Sequence, residues 1–148
     1  MHTFTDTAGR TWTLAVHVDA LKRVRALVGV DLVEAVTGNL WARLLADPVL
    51  LCDVVFALAK PDADAQRISD TDFGRAMAGN ALGAALAALQ EELLGFFPSH
   101  QRLPLAARML EAGEAAMARI AEARSRLPPM SGDESGNSPA PVAPTPGG

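Results

Sequence analysis

The chain has 148 residues, a formal net charge of −4 and a hydrophobic fraction of 49%. This length suits one folded domain, and the acidic balance, with a pI of about 5.3, argues against nucleic-acid binding, which needs a basic face to neutralise phosphates. No apolar stretch approaches the roughly 20 residues that a membrane span requires, so the sequence predicts no membrane partner.

The first 18 residues are the only part of the sequence that predicts β-structure. Thr and aromatic residues flank a turn that ends at Gly9, and apolar side chains alternate after it. The alternating apolar residues are Trp12, Leu14 and Val16. This period of two predicts a β-hairpin over residues 1–18, and because an isolated hairpin is marginal in water, we expect its apolar face to pack on helices.

Residues 19–127 predict a compact bundle of about five to six helices. Helical segments are expected to begin after the capping residues Asp19, Asp31, Asn39, Asp47 and Ser69, and longer helices are expected over residues 81–97 and about 103–126. Gly29 is a predicted helix stop, and Asp47 precedes a proline suited to a first helical position. The intervening residues 61–67 are interpreted as a loop. The fold class is therefore mainly α.

The end of the chain, residues 128–148, has a different composition. Pro, Gly and Ser occupy 13 of these 21 positions. Such a segment cannot bury enough apolar surface to offset the entropy of ordering it, so the sequence predicts a disordered tail.

Two features predict a cytoplasmic protein. Residues 1–6 have neither the basic start nor the apolar core of a signal peptide. The single cysteine, Cys52, cannot form an internal disulfide, and its apolar neighbours favour a small buried side chain in a reducing compartment.

No arrangement of reactive residues points to catalysis, a metal or a cofactor. The three histidines are scattered, and a calcium loop beginning at Asp62 fails because Arg67 and Phe73 stand where Gly and Glu are needed. The adjacent carboxylates of Glu91 and Glu92 point about 100° apart on a helix and are interpreted as a solvated helix edge. The sequence therefore predicts a protein that is not an enzyme.

The remaining signal is apolar surface. The later helices carry more Leu, Met and Phe than one narrow stripe holds, which allows part of that face to bind a partner helix or a second copy of the chain. The alternative is that all of these side chains belong to the core. The candidate partner-binding residues are Leu86, Leu89, Leu93, Phe96, Phe97, Met109 and Met117.

The order of elements and two short strings resemble a known family. Residues 4–14 read FTDTAGRTWTL, and residues 68–74 read ISDTDFG and lead towards a long Leu-rich helix. Over residues 3–98 this resembles the small tail assembly chaperones of tailed bacteriophages and of related prophages and gene-transfer agents. The sequence departs from the usual pattern in its longer hairpin loop and in having Asp where the helix start of the second string usually has Glu.

The resemblance implies a cytoplasmic assembly factor. Such chaperones bind the long helical tape measure protein, keep it from aggregating and help tail tube protein to gather on it. Two alternatives stay open at the level of sequence. One is a structural tail or connector subunit of a phage-like particle, and the other is a bacterial helical adaptor.

Overall fold

A computed structural model describes residues 1–127, which form two strands and eight helices. The elements are β1 (His2–Thr5), β2 (Thr11–Leu14), α1 (Val18–Val28), α2 (Glu34–Thr37), α3 (Leu40–Ala46), α4 (Pro48–Leu58), α5 (Lys60–Gln66), α6 (Asp70–Arg75), α7 (Asn80–Phe96) and α8 (Ser99–Arg126). The mainly helical fold with an N-terminal hairpin is confirmed. The predicted disordered tail, residues 128–148, lies outside the described residues.

The chain divides into two compact units. The first covers Met1–Ala116 and contains both strands, helices α1 to α7 and the first part of α8. The second begins at Met117, and its described residues, 117–127, are helical as far as Arg126. The structure thus places the boundary of the first unit at residue 116, whereas the sequence predicts one bundle extending to residue 127.

The hairpin is antiparallel, and β1 packs along α7. Phe4 lies opposite Trp12 in the register, and both side chains are buried, as is Leu14. The predicted apolar face is therefore confirmed for the residues within the strands. Val16, just beyond β2, is half-buried.

Several helix boundaries follow from local capping. The Asp47 carboxylate accepts hydrogen bonds from the backbone N–H groups of Val49 and Leu50, and the Ser69 hydroxyl accepts one from Asp72. These interactions satisfy N–H groups that the first helical turn leaves without partners. Gly29 ends α1 with a φ of 77°, a left-handed conformation that glycine adopts without strain.

Three predicted caps differ from the structure. Asp31 lies three residues before α2, whose N-cap is Val33, although the Asp31 carboxylate accepts a hydrogen bond from Val33 N. Helix α1 begins at Val18 and is capped by His17, whose Nδ1 accepts a hydrogen bond from Ala20 N, so Asp19 lies within the first turn instead. Asn39 precedes α3 but makes no capping hydrogen bond through its side chain. Helix α3 nevertheless begins directly after Asn39, as predicted.

The predicted loop at 61–67 is also wrong, because α5 covers most of it. Pro61 sits in the first turn, where a helix needs no N–H donor. The Asp62 carboxylate accepts a hydrogen bond from Thr13 N at 3.0 Å, and Ala63 is fully buried. These contacts to β2 and the core stabilise a helix that seven polar and small residues would not form alone.

The core draws on both strands and on every helix of the first unit, and its aromatic part lies between the hairpin, α4 and α6. The ring of Phe73 packs against Trp12 in a T-shaped arrangement with centroids 5.1 Å apart, and against Phe56 at the same distance. Three elements distant in sequence therefore meet at one aromatic residue of α6.

Candidate functional site

Two carboxylates are buried in the first unit, and Asp6 in the hairpin loop is the more enclosed of them. Its Oδ1 accepts hydrogen bonds from the backbone N–H groups of Ala8 and Arg10, both at 2.9 Å. Its Oδ2 accepts from the Arg10 Nε at 3.0 Å and from the Trp12 indole N–H at 2.9 Å. Burial acts to raise the pKa of Asp6, but these hydrogen bonds outweigh it and hold the pKa below its ordinary value. Asp6 therefore shapes the hairpin loop and has no free oxygen for chemistry.

The hairpin loop is also tied to α6. Both the backbone N–H and the hydroxyl of Thr7 donate to the Ala76 carbonyl at 3.0 Å, and an Arg10 N–H donates to the Asp72 carbonyl at 3.4 Å. The strings at residues 4–14 and 68–74 are thus neighbours in space, joined by the hydrogen bond from Arg10 to Asp72 and by the ring contact of Trp12 with Phe73.

Glu92 on α7 is the second buried carboxylate. Its Oε1 accepts from Val16 N at 3.0 Å, and its Oε2 contacts the His2 ring and lies 3.1 Å from the Met1 ammonium group. Burial acts to raise the pKa of Glu92, but the hydrogen bonds from His2 and Val16 outweigh it and lower the pKa. The prediction of a solvated edge is therefore wrong for Glu92, which fastens the hairpin to α7, although Glu91 is exposed.

These two lowered pKa values predict a loss of stability in acid. A carboxyl whose pKa is lower in the folded chain stabilises the fold above its unfolded pKa and loses that contribution as the pH falls through its folded pKa. We therefore expect the free energy of unfolding to fall as the pH drops below about 4, near the unfolded values of 3.8 for Asp6 and 4.5 for Glu92. Urea unfolding followed by circular dichroism between pH 6 and about 2.5 measures it. A variant with both Asp6→Asn and Glu92→Gln should show a flatter pH dependence, and an unchanged slope would contradict the assignment.

The acidic residues of α5 make structural contacts. Asp62 is bonded to Thr13, and Asp64 pairs with Lys60 on the same helix. Across residues 1–127, no three side chains of His, Cys, Asp or Glu are grouped as a metal ion would require.

The seven predicted partner-binding residues lie at three depths. Four are buried in the core, namely Leu89, Leu93, Phe97 and Met109. Leu86 and Phe96 are half-buried, and Met117 in the second unit is 66% exposed. The four buried side chains have almost no surface to offer a partner. They belong to the core, which is the alternative that the sequence left open.

An exposed apolar face lies on α8 in the first unit. Leu103 is 79% exposed and Leu110 is 66% exposed, and their spacing of seven residues puts them on the same side of the helix. The opposite side carries Leu105, Met109 and Ala112, which are buried. We call Leu103 and Leu110 the outer leucines. The described part of the second unit exposes apolar side chains of its own, Met117, Ile120 and Leu127.

A second apolar feature is an open groove of about 320 Å³ between α4, α6 and α7. Its apolar lining includes Pro48, Val49, Met77 and Leu82. Its polar lining includes the carboxylates of Asp53 and Asp70 and the thiol of Cys52. We call this feature the α4–α6 groove.

The sequence-based list misses the outer leucines and every residue of the α4–α6 groove. For the outer leucines a signal existed, because the helix stripe that buries Leu105 and Met109 leaves Leu103 and Leu110 on the other side. For the groove, the sequence signal was that α4 carries apolar residues on nearly all sides. A helix that buries one face needs apolar residues on that face alone, so the others are available for contacts outside the core.

The thiol of Cys52 is half-buried, and burial together with the nearby Asp53 and Asp70 carboxylates raises its pKa to about 11. A thiol with a raised pKa is a poor nucleophile at neutral pH, because the thiolate is the reactive form. The groove therefore offers contact surface and negative charge.

Comparison of the chain with known protein families, with characterised proteins and with solved structures gives no match. Among the described residues, no helix has both the length and the apolar character needed to cross a membrane.

Proposed function

We propose that this protein is a non-enzymatic tail assembly chaperone of the phage type, which binds the tape measure protein and keeps it soluble in the cytoplasm while tail tube protein gathers on it. The resemblance of residues 3–98 to that family supports the proposal. A long helical client with exposed apolar faces would aggregate unless another protein covered those faces. Exposed apolar surface on this chain is suited to that role.

The observation that carries the proposal is the exposed face of α8 in the first unit. The outer leucines point away from the buried side of the helix, so they contribute little to the core. Burying a leucine side chain is worth about 1.5–3 kcal/mol, and an amphipathic client helix could cover both. A cover of this kind needs no reacting group.

Co-expression with the tape measure protein encoded nearby tests the proposal. We expect the client to be soluble and to co-purify with the wild-type chain. Leu103→Gln together with Leu110→Gln should weaken binding by at least about tenfold, since two burials are lost and each 1.4 kcal/mol is a factor of ten. The soluble fraction of the client and the dissociation constant of the purified complex are the measurements.

Leu27→Gln is the matched control, because it makes the same change at an exposed leucine of α1, which is 55% exposed. The control should bind like the wild type. A client that stays insoluble beside the wild-type chain would exclude the chaperone function, and equal binding by the double variant would exclude the outer leucines as the contact.

Purified particles separate the proposal from a structural role. A chaperone leaves before assembly is complete, so we expect mass spectrometry of finished particles to lack this chain. Its presence in stoichiometric amounts would favour a tail or connector subunit instead. A bacterial adaptor would be favoured if the gene lies away from tail genes and the chain captures no tail protein.

A further inference from the structure

The α4–α6 groove combines an apolar floor with uncompensated negative charge. Val49 at its edge is 68% exposed, while Met77 below it is buried, so an apolar side chain entering the groove would contact both. Its volume of about 320 Å³ is enough for one or two aliphatic side chains and too open to enclose a small ligand.

Two carboxylates line this groove, and a third, that of the α4 cap Asp47, lies outside its lining. Asp53 and Asp70 line the groove, and Asp47 is close enough to act on Asp53. Burial, together with the negative charges of Asp70 and Asp47, raises the pKa of Asp53. Within residues 1–127, Asp47, Asp53 and Asp70 form no ion pair, whereas Asp64 and Asp72 are each paired with a cation of their own helix.

We infer that the α4–α6 groove binds a cationic amphipathic helix of a partner protein, with an aliphatic side chain on the apolar floor and Lys or Arg beside Asp53 and Asp70. The inference rests on the proposed function, since it names the chemistry of the client segment that the chaperone would bind. Charge complementarity selects this occupant, because a neutral or acidic helix would leave the Asp53 and Asp70 carboxylates of the groove repelling one another or the ligand.

The probes are two synthetic helical peptides of the same length, one built from Leu and Lys and the other with Glu in place of each Lys. We expect the Leu–Lys peptide to bind the full chain and the Leu–Glu peptide to bind at least tenfold more weakly. The affinity of the Leu–Lys peptide should fall with salt, as expected for partly exposed charges. Fluorescence anisotropy at two salt concentrations gives these values.

The single cysteine reports the location. Cys52 lines the groove, so at a mildly alkaline pH, where more of its thiol is ionised, a bound peptide should slow the reaction of that thiol with a maleimide relative to the free chain. Asp53→Asn with Asp70→Asn should weaken the Leu–Lys peptide by about tenfold. The matched control is Glu111→Gln with Glu114→Gln, which removes the same charge from exposed positions of α8 and should leave binding unchanged. Thermal unfolding checks that both variants are folded.

Equal binding of the two peptides, equal weakening by the two variants, or an unprotected Cys52 would overturn the inference. The inference would also be overturned if a second copy of the chain occupied the groove. In that case the wild-type chain would be a dimer, and the variant with Asp53 and Asp70 replaced would be a monomer. The proposed function is judged separately. If the wild-type chain and the groove variant keep the client equally soluble, the groove inference is contradicted and the proposed function stands. If the wild-type chain does not keep the client soluble, the proposed function is contradicted whatever the peptide measurements give.

Discussion

Replacing Asp6 with alanine is expected to destabilise the first unit by about 3 kcal/mol or more, because hydrogen bonds to a charged group contribute about 1.5–3 kcal/mol each and the buried Asp6 carboxylate accepts several. The change removes four hydrogen bonds at once. The most costly loss is at Trp12, which is fully buried, because its indole N–H would be left without an acceptor. A domain is stable by only about 5–15 kcal/mol, so this single change would remove a large part of the total.

Urea unfolding and the shift of Tm measure the effect, and we expect Tm to fall by about 10 °C or more. Asp6→Asn keeps one acceptor oxygen and should cost less. Asp19→Ala is the control, since the Asp19 carboxylate is exposed and 3.9 Å from Arg23, a pair worth about 0–1 kcal/mol. A loss below about 1 kcal/mol for Asp6→Ala would show that the hairpin loop does not depend on the carboxylate.

A double-mutant cycle with Trp12→Phe isolates the contact that matters most. The phenyl ring retains most of the apolar volume and removes the N–H donor, so Asp6→Ala should cost less in that background. We expect a coupling energy of about 1 kcal/mol or more, as for residues in direct contact. Additive effects would assign the stability to the backbone hydrogen bonds of Ala8 and Arg10 instead.

The fold was predictable where the signal is local. The alternation through Trp12 and Leu14 requires a strand with one buried face, and the caps at Asp47 and Ser69 act within three residues of themselves. Helix α5 was not predictable in this way, because the residue that anchors it, Asp62, finds its partner on β2, 49 positions earlier. Glu92 is a similar case, since nothing in its own helix shows that Val16 and His2 will meet it.

The candidate surfaces were harder to predict than the fold. Helix α7 is apolar on most sides, so composition alone could not separate Leu89, which is fully buried, from Leu86, which is half-buried. Which side faces inward depends on where β1 and α4 pack, and that is decided by contacts between distant segments. The groove depends on three helices together and has no counterpart in any one stretch of sequence.

Phe73→Ala is expected to have a comparably large effect, about 3–5 kcal/mol, which is typical of removing a buried phenyl ring. Phe73 is fully buried, and its ring contacts Trp12 of the hairpin and Phe56 of α4. The cavity would open where three elements meet, so little relaxation could fill it. Phe96→Ala is the control at a half-buried phenyl ring, and it should cost clearly less. Denaturant unfolding of both variants gives the comparison, and equal losses would contradict the central position of Phe73.

The same residue separates the two proposed contacts from each other. Phe73 lies on α6, whose residues Asp70 and Gly74 line the groove, whereas the outer leucines are on α8. In Phe73→Ala, at a temperature where the chain is still folded, a loosened α6 should weaken the Leu–Lys peptide by several-fold and leave the contribution of the outer leucines to client binding intact. If instead both contacts weaken together in the folded variant, the effect of the cavity reaches beyond α6, and the independence of the groove from the outer leucines is contradicted.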